Sequence, residues 1–585
     1  MAPGEAEMAP GEAEMDPGEA DMAPGDVAAT CCATFVDTWI RRGVTHACIA
    51  PGSRSTPMAL ALAARHELSV SIHHDERSAA FAALGVGLAT GKPAVVLTTS
   101  GTAAVHLHAA VVEADLARVP LLALTADRPP ELQGVGAPQT IDQRQLYGGS
   151  VRSFIDAGVP DLAQRAEWRT TAARAFDASR APVPGPVQLN LPFREPLLGH
   201  ARPLPPADDD ALVESADETA EISPATVDEF VQLVNGRRGV LVAGYGIDDP
   251  AAVHRLATAL GWPVLADARS GARLENSAAI THPDALLRVD DWAVAHQPDV
   301  VVRIGDPWAS KVVNQWLAAT PVHVIVDRHG VWVEPDRRAT LRIRTTATIL
   351  TATMAPLVST VDEKWQREWI RAEVRAQQVI GSELAADMTL SEPLIAYTVA
   401  DRSLDHSAVV SASSMPVRDI EWYGGSRDRI THYSNRGANG IDGVVSTAIG
   451  VALTGRRVVA LVGDIAFLHD SSAMIALARR PIDLTVVVVD NDGGGIFSFL
   501  AQADALDRER FELLFGTPHG TDIAAVARAH QLDAVEVDTA EEFIVAFLKA
   551  TDASGVRVIV ARTDRDDNVV VHRRIHDAVA RAITM

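Results

Sequence analysis

The sequence predicts an α/β protein of three doubly wound parallel-sheet domains behind a short tail. Three observations carry this expectation. The chain has 585 residues, more than the roughly 250–300 that one hydrophobic core organises. Short β-branched or apolar runs alternate with amphipathic stretches, the pattern of parallel strands joined by helical crossovers. The composition, 47% hydrophobic and 22% charged with 40 Gly and 33 Pro, is that of a globular protein rich in turns.

Residues 1–26 read MAPGEAE, MAPGEAE, MDPGEAD, MAPGD, with a Pro-Gly pair in every copy. That pair breaks any helix the seven-residue period suggests, so a disordered acidic tail is expected, with Met22 a second candidate start. The first α/β domain is expected over 27–200, with strands in ACIA (47–50), VSIHH (70–74), AVVLTT (94–99) and PLLALTA (120–126). A Pro-rich acidic linker, 201–224, follows. The second domain, 225–355, has strands in GVLVAGYG (239–246), WPVLAD (262–267), PDVVVRIG (298–305) and PVHVIVD (321–327). A helical linker with Trp365 and Trp369 spans 356–392. The third domain, 393–585, carries the strongest strands, RVVALVGD (457–464) and DLTVVVVDN (483–491).

A formal charge of −24, a third of it in the tail, excludes a chain that grips nucleic acid through clustered cations. A few local Arg residues still suffice to bind an acidic substrate. Three cysteines without CxxC spacing fit a reducing cytoplasm. No basic segment precedes an apolar amino-terminal core and no apolar run approaches about 18 residues, so neither export nor a membrane span is expected. GVGLATG (85–91) and AGYG (243–246) lack full GxGxxG spacing, which argues against a dinucleotide site.

Asp464 and Asn491 each close an apolar strand. Parallel pairing puts both polar ends on one sheet edge, where open α/β sheets bind ligands. The carboxylate, the amide oxygen and a carbonyl of the following DGGG are hard donors suited to Mg²⁺, with diphosphate oxygens and water completing the shell. Glycine lets that carbonyl approach closely. Either strand-end dipeptide alone is an ordinary turn; the pair with a helix between and GGG after is far more specific.

The segment GDIAFLHDSS followed by VVVVDNDGGGIF resembles the thiamine diphosphate motif, in which GDG precedes NN by about a helix and a strand. The resemblance implies Gly463, Asp464, Asn491 and Ile496 at the cofactor, and Asp464, Asn491 and the Gly493 carbonyl on Mg²⁺ or Mn²⁺. Ile496 is a candidate wedge between the cofactor's rings or ordinary core packing, with Phe497 beside it. Ile465 and Asp490 depart from the family's Gly and first Asn without removing a ligand. The family also needs a glutamate opposite the aminopyrimidine, and HHDER supplies Glu76 after a strand and before a helix. There a carboxyl donating to the pyrimidine N1′ favours the imino form that activates the cofactor.

PGSRSTP (51–57), TSGTA (99–103), LTADRPPEL (124–132), SNRGANGIDG (434–443) and NDGGGIF (491–497) narrow the resemblance to the MenD family of 2-succinyl-5-enolpyruvyl-6-hydroxy-3-cyclohexene-1-carboxylate (SEPHCHC) synthases. It implies the fold of the thiamine diphosphate-dependent decarboxylases, with 27–200 as the pyrimidine-binding and 393–585 as the diphosphate-binding domain. The implied reaction is that of a transferase in menaquinone biosynthesis: 2-oxoglutarate is decarboxylated and its four-carbon remainder added 1,4 to isochorismate. Both substrates are dianions, so guanidinium groups are expected. The motifs place Ser53, Arg54, Arg128, Gln139, Arg418 and Arg436 at the substrates. Lys311 is either the second domain's contribution or a solvated lysine. Pro138 and His106 stand where the family has Asn. A homodimer or dimer of dimers is implied, with Glu76 and the metal loop of each site from different subunits. The alternatives are another thiamine diphosphate-dependent 2-oxoacid decarboxylase, an acetohydroxyacid synthase, or a non-catalytic relative.

Overall fold

The computed structural model describes residues 22–207 and 221–584, apart from 276, 361 and 388. Most of the repeat tail and the middle of the 201–224 linker thus lie outside the described residues. Three six-stranded, wholly parallel sheets organise the rest. The first comprises β1 (His46–Ile49), β2 (Ser69–Ile72), β3 (Ala94–Thr98), β4 (Leu121–Asp127), β5 (Ser153–Asp156) and β6 (Pro186–Pro192), ordered β2-β1-β3-β4-β6-β5.

The second sheet holds β7 (Gly239–Ala243), β8 (Val264–Ala266), β9 (Ala279–Ile280), β10 (Val300–Ile304), β11 (Val322–Val326) and β12 (Leu341–Ile343), ordered β12-β11-β10-β7-β8-β9. The third holds β13 (Ala408–Ser411), β14 (Thr431–Tyr433), β15 (Val458–Gly463), β16 (Leu484–Asp490), β17 (Asp533–Val537) and β18 (Val556–Arg562), ordered β14-β13-β15-β16-β18-β17. Relative to its own first strand, the third sheet repeats the order of the first. The second has the other doubly wound order, 3-2-1-4-5-6.

Two boundaries differ from the sequence reading. A helix starts at Pro24, not after residue 26, because Pro at the first helical position is preset for the turn. Asp26 is buried rather than part of a solvated tail; it accepts the His200 N–H at 2.8 Å and pairs with Arg202 at 2.7 Å, tying the domain's start to its end. The passage expected as a helical linker, 356–392, contains the helix Glu363–Ala386, whose Trp365 and Trp369 are buried in the second domain's core. The Trp365 indole donates to the Gly239 carbonyl at 2.8 Å, so this helix is a wall of that domain.

The first and third domains meet through the helices Glu76–Thr90 and Val444–Leu453. Gly85 faces the Thr447 carbonyl and Gly450 the Ala82 carbonyl so closely that a Cβ at either would overlap backbone. Two glycines therefore set the distance between the domains. No helix among the described residues is long and apolar enough to cross a membrane.

Candidate active site

Register places the diphosphate-type motif. Gly463 of β15 pairs with Val489 of β16, so Asp464 and the Asp490–Asn491 step lie side by side at the carboxyl edge of the third sheet. Asp464 is buried, and its carboxylate accepts the N–H of Ile465 at 2.6 Å and of Gly493 at 2.8 Å. Burial raises its carboxyl above the ordinary range against the pull of those two amides. Asn491 donates its amide to Glu392 at 2.7 Å, while its Oδ1 is buried with no hydrogen-bond partner among the described residues.

An orphaned amide oxygen beside a buried carboxylate fits a hard cation, because a buried acceptor without a partner costs about 1–3 kcal/mol. Gly493 has φ +141°, and a Cβ there would overlap the Gly516 carbonyl, so the loop needs glycine. Ile496 is half-buried against the core that includes Trp422 and Tyr423.

Other residues at this edge have no signal in the strand-end motif. Asp464, Asp490 and His519 bring ligand atoms within 4.8 Å of one another. The His519 Nδ1 accepts the Thr521 N–H at 3.0 Å, and its Nε2 lies 3.3 Å from Asp464 Oδ2. Glu392 and Asp419 are buried nearby, and burial with Asp419's charge pushes the Glu392 carboxyl up to about 7. Nothing in EPLIAY singles out Glu392; only folding brings it to Asn491.

Glu76 is the first residue of its helix, capped by Asp75, whose carboxylate accepts the N–H groups of Arg77 and Ser78. It is half-buried, and its carboxylate makes no hydrogen bond or ion pair among the described residues. Its neighbours are held by the third domain: Ser472 donates to Asp75 at 2.7 Å, and Arg77 donates to the His469 carbonyl at 2.6 Å.

The expected substrate residues fall into two groups. In the first domain, Arg54 is buried after β1 and donates to the Phe193 carbonyl at 2.9 Å and to Glu195 at 3.3 Å, with Nε unpartnered. Burial and then the charge of Arg128 lower its pKa. Arg128, after β4, donates to the Pro138 carbonyl at 3.2 Å, and Gln139 donates to the Ser100 carbonyl at 3.0 Å. Ser53 is exposed beside Arg54, and its carbonyl accepts the Thr56 hydroxyl. His106 is exposed at the end of the TSGTA turn. Pro138, where the family has Asn, meets Arg128 through its backbone carbonyl, a contact that does not depend on the side chain.

In the third domain, Arg418 donates to the Ser413 and Ser414 carbonyls at 3.0 and 2.7 Å. Arg436 makes no hydrogen bond or ion pair among the described residues; burial, then repulsion from Arg269 and Arg418, lowers its pKa to about 10. Lys311 is exposed at the start of the helix Lys311–Ala318. The N–H groups before it, of Ala309 and Ser310, donate to Glu421 at 3.1 and 2.9 Å, on the helix that carries Arg418. Arg269, which the motifs did not indicate, approaches Arg436 from the second domain but is already paired with Asp267 at 2.6 Å.

Three family models cover most of the chain: the thiamine pyrophosphate enzyme N-terminal TPP-binding domain over 30–146, the middle domain over 211–408 and the C-terminal TPP-binding domain over 424–561. The chain is 40% identical to the 2-succinyl-5-enolpyruvyl-6-hydroxy-3-cyclohexene-1-carboxylate synthase of Thermobifida fusca, over 94% of this chain and 98% of that protein. It is 39% identical to the proteins of that name from Chloroflexus aurantiacus, over 94% and 96%, and Myxococcus xanthus, over 93% and 96%. The chain belongs to the SEPHCHC synthase family. For a member of this thiamine diphosphate-dependent enzyme family, the two sheets with the same strand order are the two cofactor-binding units. Their carboxyl edges hold Glu76, Arg54 and Arg128 on one side and Asp464, Asn491 and Arg418 on the other.

Proposed function

We propose that this chain catalyses the decarboxylation of 2-oxoglutarate and the 1,4-addition of its four-carbon remainder to isochorismate, giving SEPHCHC for menaquinone biosynthesis. The observation that carries this reading is the orphaned Asn491 oxygen beside buried Asp464, on a chain that also brings Arg54 and Arg128 to one sheet edge and Arg418 and Arg436 to another. Thiamine diphosphate, when bound, supplies the nucleophilic carbon and the electron sink that decarboxylation of a 2-oxoacid needs.

Asp464, Asn491 and the Gly493 carbonyl would hold Mg²⁺ or Mn²⁺ with the diphosphate, and Gly463 and Ile496 would line the cofactor. Glu76 would hydrogen-bond the pyrimidine N1′ of the bound cofactor. Its lack of a partner among the described residues supports a homodimer, or a dimer of such dimers, in which it serves the cofactor bound by the neighbouring subunit. Arg54 with Ser53, Arg128 and Gln139 form one carboxylate cradle, and Arg418, Arg436 and Lys311 the other. Two dianionic substrates give each cradle an occupant. Three buried free cysteines suit a cytoplasmic enzyme.

The test is product identification by mass spectrometry after incubation with 2-oxoglutarate, isochorismate, thiamine diphosphate and Mg²⁺. SEPHCHC is the expected product. Carbon dioxide released with no isochorismate consumed would establish a simple decarboxylase instead, and no turnover of either substrate a non-catalytic relative.

A further inference from the structure

The loop that carries Arg436 belongs to the third domain but is held by the first. Glu113, on the helix His108–Leu116, is 3% exposed. Its two carboxylate oxygens accept the N–H groups of Gly437 and Ala438, each at 2.7 Å. Charge-assisted bonds of this length are about twice as strong as neutral ones. A Cβ at Gly437 would come within 2.6 Å of the Glu113 carbonyl, so loop and helix approach as only glycine permits.

On its other side the loop is fixed by Asn435, which donates to Thr447 at 3.1 Å and accepts the Ser413 hydroxyl on its carbonyl. Arg436, between these anchors, has no side-chain partner among the described residues and sits in the positive field of Arg269 and Arg418. Both oxygens of Glu113 are engaged by backbone, so the carboxylate clamps the loop without pairing the guanidinium. Nothing in HLHAAVVEADL marks this role; the residue reads as one more surface acid until the two domains dock.

We propose that Glu113 is a positioning residue for substrate recognition: it fixes the 435–438 loop so that Arg436 presents its guanidinium to a carboxylate of one of the two substrates. Affinity for that substrate then depends on the contact between the first and third domains of one chain. This rests on the reading of Arg436 as a substrate contact.

The experiment compares Glu113→Gln, Glu113→Asp, Arg436→Ala and the double variant Glu113→Gln/Arg436→Ala as holoenzymes. Each substrate is varied in turn, alongside thiamine diphosphate affinity and the thermal midpoint. Glu113→Gln turns one acceptor oxygen into a donor facing one of the two N–H groups. It is expected to raise KM for one substrate about tenfold, with kcat within about twofold and cofactor affinity unchanged. Glu113→Asp keeps both acceptors and is expected to stay within about threefold of wild type. In the Arg436→Ala background the Gln change is expected to add nothing. Which KM moves, for 2-oxoglutarate or for isochorismate, identifies the carboxylate. Unchanged KM values in Glu113→Gln, or additive effects in the double variant, would overturn the proposal while leaving Arg436 as a contact. Unchanged KM values in Arg436→Ala would remove the reading beneath it, and the proposal with it.

Discussion

The first and third domains share one strand order and put different chemistry on it. After their first strands stand Arg54 and Arg418, after their third strands Thr99 and Asp464, and after their fourth strands Arg128 and Asn491. The scaffold fixes where the crevice is, and a handful of strand-end residues decide what it holds. In the first domain two of those three ends are cationic, and Glu76, after the second strand, has no partner among the described residues. In the third they pair a buried carboxylate with an orphaned amide oxygen, the donor set of a hard cation.

Four substitutions break or sharpen this contrast. The largest effect is expected from the first domain. Glu76→Gln keeps the side chain's shape and loses the carboxyl, so kcat is expected to fall about 10²–10⁴-fold, while titration calorimetry finds cofactor affinity within about threefold of wild type. Loss of cofactor binding in that variant would erase the division of labour.

Asp464→Asn tests the other side. It removes the charge proposed to face the metal and leaves a side chain that suits the Ile465 and Gly493 amides less well. The expected result is a roughly 100-fold loss of affinity for thiamine diphosphate in Mg²⁺, with the apo thermal midpoint at or above that of wild type, because burial already disfavours the charge. Equal cofactor affinity in the two proteins would remove Asp464 from the metal site.

Arg54→Ala is expected to raise KM for a carboxylate substrate about 10–100-fold, the worth of one or two charge-assisted hydrogen bonds. If the two domains' cradles serve different substrates, Arg54→Ala and Arg436→Ala move different KM values. The same KM moving in both would merge them into one site.

The smallest effect concerns the seam between the domains. Asp470 is buried, accepts the Ser446 N–H at 2.6 Å and its hydroxyl at 3.0 Å, and is pushed up to about 6 by burial. A carboxyl whose folded pKa lies above its unfolded value contributes stability fully present below pH 3.8 and lost as pH rises through 6. Asp470→Asn removes that dependence, which is worth about 1.4 kcal/mol for each tenfold difference in proton affinity between the folded and unfolded chain. The thermal midpoint of the variant relative to wild type is therefore expected to rise between pH 4 and pH 7. A constant difference across that window would place the Asp470 pKa near its ordinary value.

Much of this was legible in the chain. Continuous β-branched runs such as VVVVD and VVALVG announced buried parallel strands, because only a strand covered on both faces tolerates such a run. β6 was harder to read: PVQLNLP buries Gln188 and Asn190, whose amide N–H groups find their acceptors only through tertiary structure, the Gln143 carbonyl at 2.7 Å and Asp127 at 3.0 Å. Short edge strands such as β9 and β14 carry too few residues to show a period.

The three α/β units, the Asp464 and Asn491 motif, Glu76 and the Arg-bearing turns are written in the chain itself, because each is a local pattern of residue type and spacing. Which charges remain without partners is settled only when the chain folds. Arg54 finds Glu195, Arg269 finds Asp267 and Arg436 finds none among the described residues, although all three are arginines outside the strands and α-helices. Folding also brings Glu392 to Asn491, turns His519 toward Asp464 and sets Glu113 as a clamp on the Arg436 loop. These contacts join residues far apart in the chain, and their strength comes from burial that exists only after the domains have docked.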